Sequence, residues 1–249
     1  MKKTKIILAL LLAALLMLTL TACGSKDAKS TEATEDKAVA TTDTVPVILD
    51  QAEYTLYQNV FYNGYGEQSV GQVTKRGVFT TIQDAFNEVT RYYVWGYLDN
   101  TLCCDWQWEF VPAEGAELPA VGSLVQVSGS FEKDDAALDG YWIKDAKVTV
   151  ENAYTAGETE LDMLTMGDTL ERVQLMNIMY RKEAFEGKTF RAFGRISNIG
   201  LLEDPYYGNE AWQIPYQSDA EQPAIGAMVH LQGKVADGQL AECSIQVTE

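Results

Sequence analysis

Four cysteines and one histidine are the residues best equipped for chemistry, and two of the cysteines are adjacent: Cys103 and Cys104, in Asp99-Asn100-Thr101-Leu102-Cys103-Cys104. Thiolates favour Zn²⁺ and Cu(I), and neighbouring thiols exchange with disulfides, so the pair is a candidate for metal or redox work. Strand alternation points the other way. Successive strand residues face opposite sides, which puts Cys104 with Trp106, Trp108 and Phe110 in the core and Cys103 with Asp105, Gln107 and Glu109 on the polar face. Two sulfurs on opposite faces do not meet one ion, and zinc wants three or four ligands. The lone His230, beside Leu231, reads as an ordinary strand residue, and Cys243 as a small buried hydrophobe. Structural use of the pair is the favoured reading, and no metal or cofactor is expected.

Other constellations are weaker. Glu132, Asp134, Asp135 and Asp139 cluster before Gly140, but they lack the Asp-x-Asp-x-Asp-Gly order of a calcium loop and read as a solvated turn. No phosphate-cradling Gly-rich loop, His-Glu-x-x-His or Gly-x-Ser-x-Gly motif occurs, which argues for a non-enzymatic protein. Tyr93, Trp95 and Tyr97 alternate along one expected strand. Exposed, they and Cys103 would form a binding surface on which a sugar, peptide or base could stack; buried by a neighbouring domain, they would be interface.

These residues sit in an exported chain. Lys2, Lys3 and Lys5 precede the apolar run Ile6 to Leu20, too short to span a bilayer, and Leu20-Thr21-Ala22-Cys23 follows. That last segment resembles the lipobox of bacterial lipoproteins, which implies cleavage after Ala22 and a diacylglycerol on Cys23. Residues 1–22 are then a signal peptide and the protein is expected at the cell membrane, lipid-anchored on the extracytoplasmic face. The mature chain would carry 16 basic against 36 acidic residues, a net charge of −20. Such a chain is repelled by anionic headgroups and does not track nucleic-acid phosphates. Residues 23–45 hold no aromatic residue and read as a disordered tether. With 47% hydrophobic residues overall, the remainder can build a core. Its partners are expected to be an envelope protein or a small ligand.

An internal duplication organises that remainder. Trp108 to Phe131 aligns without a gap on Trp212 to Val235, with eight identities in 24 positions, and Ile143 to Val150 matches Leu240 to Val247. An offset of 104 residues suits a whole small domain. Period-2 alternation in both copies, Pro-x-x-Gly turns, and Gly77 and Gly194 inside the opening strands predict about five short strands per copy. The fold class expected is mainly β: two tandem OB-like small barrels, residues 46–152 and 153–249. A short helix precedes the second, starting at a capping box formed by Asp168 and Glu171. Only the Tyr-rich stretch Tyr54 to Tyr65 precedes the first barrel.

The segment from Leu164 through Gly187-Lys188-Thr189 to Gly194, with the Asp99–Cys104 strand leading to Glu109-Phe110, is similar to a family of exported OB-like proteins of Gram-positive bacteria. That family reads as a helix, a "GKT…G" strand and an "ADATACC…GIEF" strand. Related "TCC.ADA" segments resemble the end of a membrane-protein family linked with zinc homeostasis. The resemblance covers most of residues 70–150 and 160–249 and implies the fold and an envelope location, but no activity. The cysteine pair occurs only in the first copy; Tyr207 and Gly208 stand there in the second. Two readings therefore stay open: a lipid-anchored, non-enzymatic binding or interaction module, or a thiol- or zinc-handling lipoprotein using Cys103 and Cys104.

Overall fold

The computed structural model describes residues 47–49, 51–64, 71–100, 104–154 and 159–248. The expected signal peptide and tether, with Cys23, lie outside the described residues, as does Cys103.

The first sheet comprises β1 (Gly71–Asp84), β2 (Val89–Tyr97), β3 (Asp105–Pro112), β4 (Leu124–Lys133) and β5 (Tyr141–Asn152). They pair in the cyclic order β1-β2-β3-β5-β4, with β4 returning to β1 and all neighbours antiparallel except β3 and β5. Closure depends on β1, whose first half pairs with β4 and whose second half pairs with β2. At the changeover stands Gly77, where a Cβ would come within 2.4 Å of the Trp95 carbonyl oxygen, so the strand can bend there only without a side chain. Phe79, Val94, Trp108, Val125, Phe131 and Ile143 fill the interior, all almost fully buried.

A short helix, α1 (Gln51–Tyr57), extended by a π-helical turn (Gln58–Tyr62), closes one end of that interior. Tyr57 and Phe61 pack on Trp108 at 5.7 and 5.2 Å between ring centroids. The Glu53 carboxylate accepts Lys75 Nζ at 2.7 Å, and the ammonium lies 4.6 Å from the Trp108 ring centre. The sequence reading expected no helix here. The signal was the helical spacing of Tyr57, Val60 and Phe61, obscured by the low helix propensity of the tyrosines around it.

The second sheet contains β6 (Leu161–Asp162), β7 (Thr189–Asn198), β8 (Leu201–Asp204), β9 (Gly208–Pro215), β10 (Met228–Ala236) and β11 (Gln239–Val247). Its order is β11-β10-β7-β8-β9, with β6 alongside β7. The aligned glycines hold matching registers: Gly77 lies opposite Val125 and Gly194 opposite Val229. Gly129 and Gly233 hold equivalent close approaches, a Cβ meeting the Lys144 and Ala241 carbonyl oxygens at 2.3 and 2.4 Å. Where β3 and β5 share a parallel ladder, β9 and β11 meet only through the bridge Tyr216–Leu240 and bonds from Gln217 and Cys243.

Helix α2 (Asp168–Tyr180) fills the expected place, but its start is built differently. Gly167 is the N-cap, with no side-chain bond of its own. The Asp105 carboxylate of β3 instead accepts Thr169 N at 2.9 Å and Thr169 Oγ1 at 2.7 Å, so the first sheet caps the helix of the second copy. Glu171, in the first turn, is buried. One hydrophobic cluster runs through both sheets by way of Met163, Met166 and Leu170.

Candidate functional site

Two loops flank the outer face of β1-β2-β3: the β1–β2 turn at Ala85–Glu88 and the β4–β5 loop at residues 134–140. Asp84 ends β1 with a short polar side chain that folds the turn onto itself. Its Oδ1 accepts the backbone N–H groups of Phe86 and Asn87, both at 3.1 Å, and its Oδ2 accepts Asn87 Nδ2 at 2.8 Å. Arg91, two residues into β2, binds the same carboxylate through Nε at 2.7 Å. Its Nη1 reaches Glu109 Oε1 of β3 at 2.7 Å and the Ala136 carbonyl of the far loop at 3.0 Å. Glu109 Oε2 in turn accepts Leu138 N at 2.8 Å. One guanidinium thus ties turn, sheet and loop together.

All three charged groups are buried. Charge-assisted bonds of this kind are strong because the surroundings are poor in water. Burial pushes Asp84 upward, but bonds from Asn87 and Arg91 outweigh it and hold the carboxyl below its usual range. Glu109 lies deeper, and there burial prevails over its bonds from Leu138 and Arg91 and raises the carboxyl.

Arg91 and Glu109 of this network line a cleft of about 640 Å³, together with Tyr92, Phe110, Pro112, Trp142, Asn87 and Asp135. Across Arg91 and Leu138 lies a smaller apolar recess of about 320 Å³, where Phe86 meets Val173 and Met176 of α2. Neither Arg91 nor Asp84 was singled out from sequence. The signal was Arg91 itself, a charge at period 2 with Tyr93 and Trp95 on one strand face.

The aromatic stripe is corrected by burial. Tyr93, Trp95 and Tyr97 do share the outer face of β2, but they are at most 5% exposed and offer no stacking platform. Trp95 Nε1 donates to the Thr165 carbonyl at 2.9 Å, and Gly167 packs against its ring. The peptide group of Gln83 bonds Gln174 and Asn177 of α2 at 3.1 and 3.0 Å. The segment leading into the second copy thus covers this face. Burial also raises the Tyr93 hydroxyl well above the usual phenol range, with nearby Glu109 adding to the effect.

Cys104 is corrected as well: it precedes β3, which starts at Asp105, and is exposed rather than in the core. Trp106, Trp108 and Phe110 do face inward. Cys243 is buried, and desolvation pushes its thiol up to about 11. His230 lies beside Phe193, ring centroids 5.0 Å apart and tilted by 40°. In the acidic loop, Lys144 pairs with Asp134 at 2.9 Å and Glu132 at 3.7 Å, and Asp134 Oδ1 accepts Ala136 N at 3.0 Å. This is a turn held by its own ion pairs. Among the described residues no cluster of His, Cys, Asp or Glu is placed to hold a metal, and no helix is long and apolar enough to cross a membrane.

No protein-family model matches the sequence, and no curated protein matches it either.

Proposed function

We propose that this chain is a lipid-anchored envelope protein that acts as a non-enzymatic binding module, with its ligand site in the cleft beside Arg91. Two OB-like barrels in tandem are the architecture that best accounts for the cyclic strand order of the first sheet and the matching register of the second. In OB folds the β2–β3 face and the loops flanking it take ligands. The observation that carries the reading is the Arg91 network, which fixes both loops around a concave, partly aromatic space of ligand size.

A ligand that occupies the cleft stabilises the folded state by mass action and raises Tm. Thr90 lines the cleft outside the ion network, and Thr90→Trp is expected to fill the space and abolish that rise. A rise that survives Thr90→Trp would move the site elsewhere. Anchoring rests on Leu20-Thr21-Ala22-Cys23. Cys23→Ser is expected to shift the protein out of the detergent phase of lysed cells, and unchanged partitioning would end the lipoprotein reading.

The exposure of Cys104 favours one second reading, thiol or metal handling with Cys103. Stoichiometric metal on the purified chain, lost in both Cys103→Ser and Cys104→Ser, would promote it.

A further inference from the structure

The chemistry of the cleft narrows its ligand, given the binding role proposed above. Arg91 uses Nε and Nη1 on Asp84, Glu109 and Ala136, while Nη2 makes no hydrogen bond among the described residues. Two N–H donors are therefore left over on a guanidinium that lines the cleft. Asn87 spends its Nδ2 on Asp84, which leaves Oδ1 as an acceptor, and the Asp135 carboxylate, which also lines the cleft, has no hydrogen-bond partner among the described residues. Against this polar edge stand flat apolar walls. Tyr92 is stacked on Phe79 at 6.4 Å and 12° and held by Phe110 at 6.0 Å, and the Trp142 ring lies across the cleft, flanked by Lys144 Nζ at 5.4 Å.

Charge decides between ligand classes. Arg91 is already shared by two carboxylates, Asp135 and Asp139 lie on the adjoining loop, and the whole chain carries −17, so an anion meets repulsion on approach and within the cleft. A cation placed in the cleft would sit against the guanidinium, and the buried carboxylates are already compensated. What suits the cleft is a neutral molecule with a C–H face for the rings and an edge of paired donors and acceptors. We infer that the cleft binds a neutral saccharide, its hydroxyls meeting Arg91 Nη2, Asn87 Oδ1 and Asp135 and its ring face lying against Tyr92 and Trp142. The volume, about 640 Å³, falls within the range of small-molecule sites.

The test is calorimetry and tryptophan fluorescence on the full chain in a detergent without a sugar headgroup. The probes are cellotetraose, maltotetraose and chitotetraose, against a heparin tetrasaccharide and tetralysine. At least one neutral tetrasaccharide is expected to bind saturably, with an affinity that changes little with salt because no ion pair forms. Trp142→Ala and Asn87→Ala are each expected to weaken it about tenfold or more, the loss of a stacking face or a hydrogen bond. Thr90→Trp, which leaves both residues in place, should abolish it. Binding of heparin or tetralysine alone, salt-sensitive and blocked by Thr90→Trp, would overturn the saccharide and leave the binding role standing. No cleft-dependent binding by any probe would overturn both.

Discussion

The outer faces of the two sheets, whose strands carry matching sequence patterns, have opposite fates. On the first, Tyr93 and Trp95 of β2 and Ile82 of β1 are buried under the linker and α2. On the second, the corresponding strands carry Arg195, Ser197 and Gln213, with Arg195 bonded to the buried Glu203 and Gln213 to Ser197, around a polar groove. The interiors agree in their glycines and tryptophans; the exteriors do not. The first sheet is the seat for the connection to the second, and the end of its face next to the loops lines the cleft. Two sheets can share a core pattern while the chemistry of one outer face decides whether it is covered by the rest of the chain or left open.

The sharpest way to break this contrast is to truncate one residue on each face. Trp95→Ala removes a side chain 2% exposed and the bond to Thr165, and a loss of about 3–5 kcal/mol is expected from denaturant unfolding. Gln213→Ala on the open face should cost less than about 0.5 kcal/mol. Comparable losses would mean that the second face is also covered.

The Arg91 network is the next largest lever, and its pH dependence carries a sign. The folded-state pKa of Asp84 is depressed, so its contribution is present above the ordinary carboxylate pKa and is lost as pH falls through the lower folded value. Asp84→Asn should therefore cost about 1–3 kcal/mol at neutral pH, with the gap to wild type closing on acidification. Glu109 works in the opposite sense. Its raised pKa favours the protonated form in the fold, a contribution present at acid pH and lost as pH rises through the folded value. Glu109→Gln should therefore differ least from wild type at low pH. A constant gap for Asp84→Asn across pH 3 to 7 would remove the carboxylate from the network.

Capping across the junction is a smaller effect. Asp105→Ala leaves Thr169 N without its acceptor and should cost about 1 kcal/mol, with faster amide exchange confined to the first turn of α2. Unchanged exchange there would show that the helix start does not depend on the first sheet.

What the sequence disclosed and what it hid divide along the same line as the two faces. Strand positions, the helix over Asp168–Tyr180 and the matched glycines follow from local period and from repetition, and each could be read directly. The fate of Tyr93, Trp95 and Tyr97 could not, because period 2 assigns residues to a face without saying what lies on it. The same limit hid Asp105 as the cap of α2: Thr169 and Asp105 are 64 residues apart, whereas the capping box at Asp168 is a local pattern. Cys104 was misplaced by extending alternation one residue beyond the start of β3. The cleft escaped notice because it depends on one Arg joining three segments distant in sequence.

The last contrast lies at the seams. The first sheet closes through the β3–β5 ladder, whereas β9 and β11 are joined by the Tyr216–Leu240 bridge and by bonds such as Cys243 N to the Gln217 carbonyl at 2.9 Å. Fewer bonds at a closure mean cheaper local opening. Cys243 sits on that seam, 5% exposed and with its thiol pushed up to about 11, so in the closed state it is doubly protected from alkylation at neutral pH. Ala146, fully buried, is its counterpart in the first copy by alignment, and Ala146→Cys places the same reporter on the stronger seam. Exposed Cys104 should be modified first, Cys243 next through transient opening, and the cysteine of Ala146→Cys last. Mass spectrometry of peptides from the timed reaction separates the three. If Cys243 reacts no faster than the reporter in the first seam, the single bridge holds as well as the ladder, and the two sheets are equally closed despite their different hydrogen bonding.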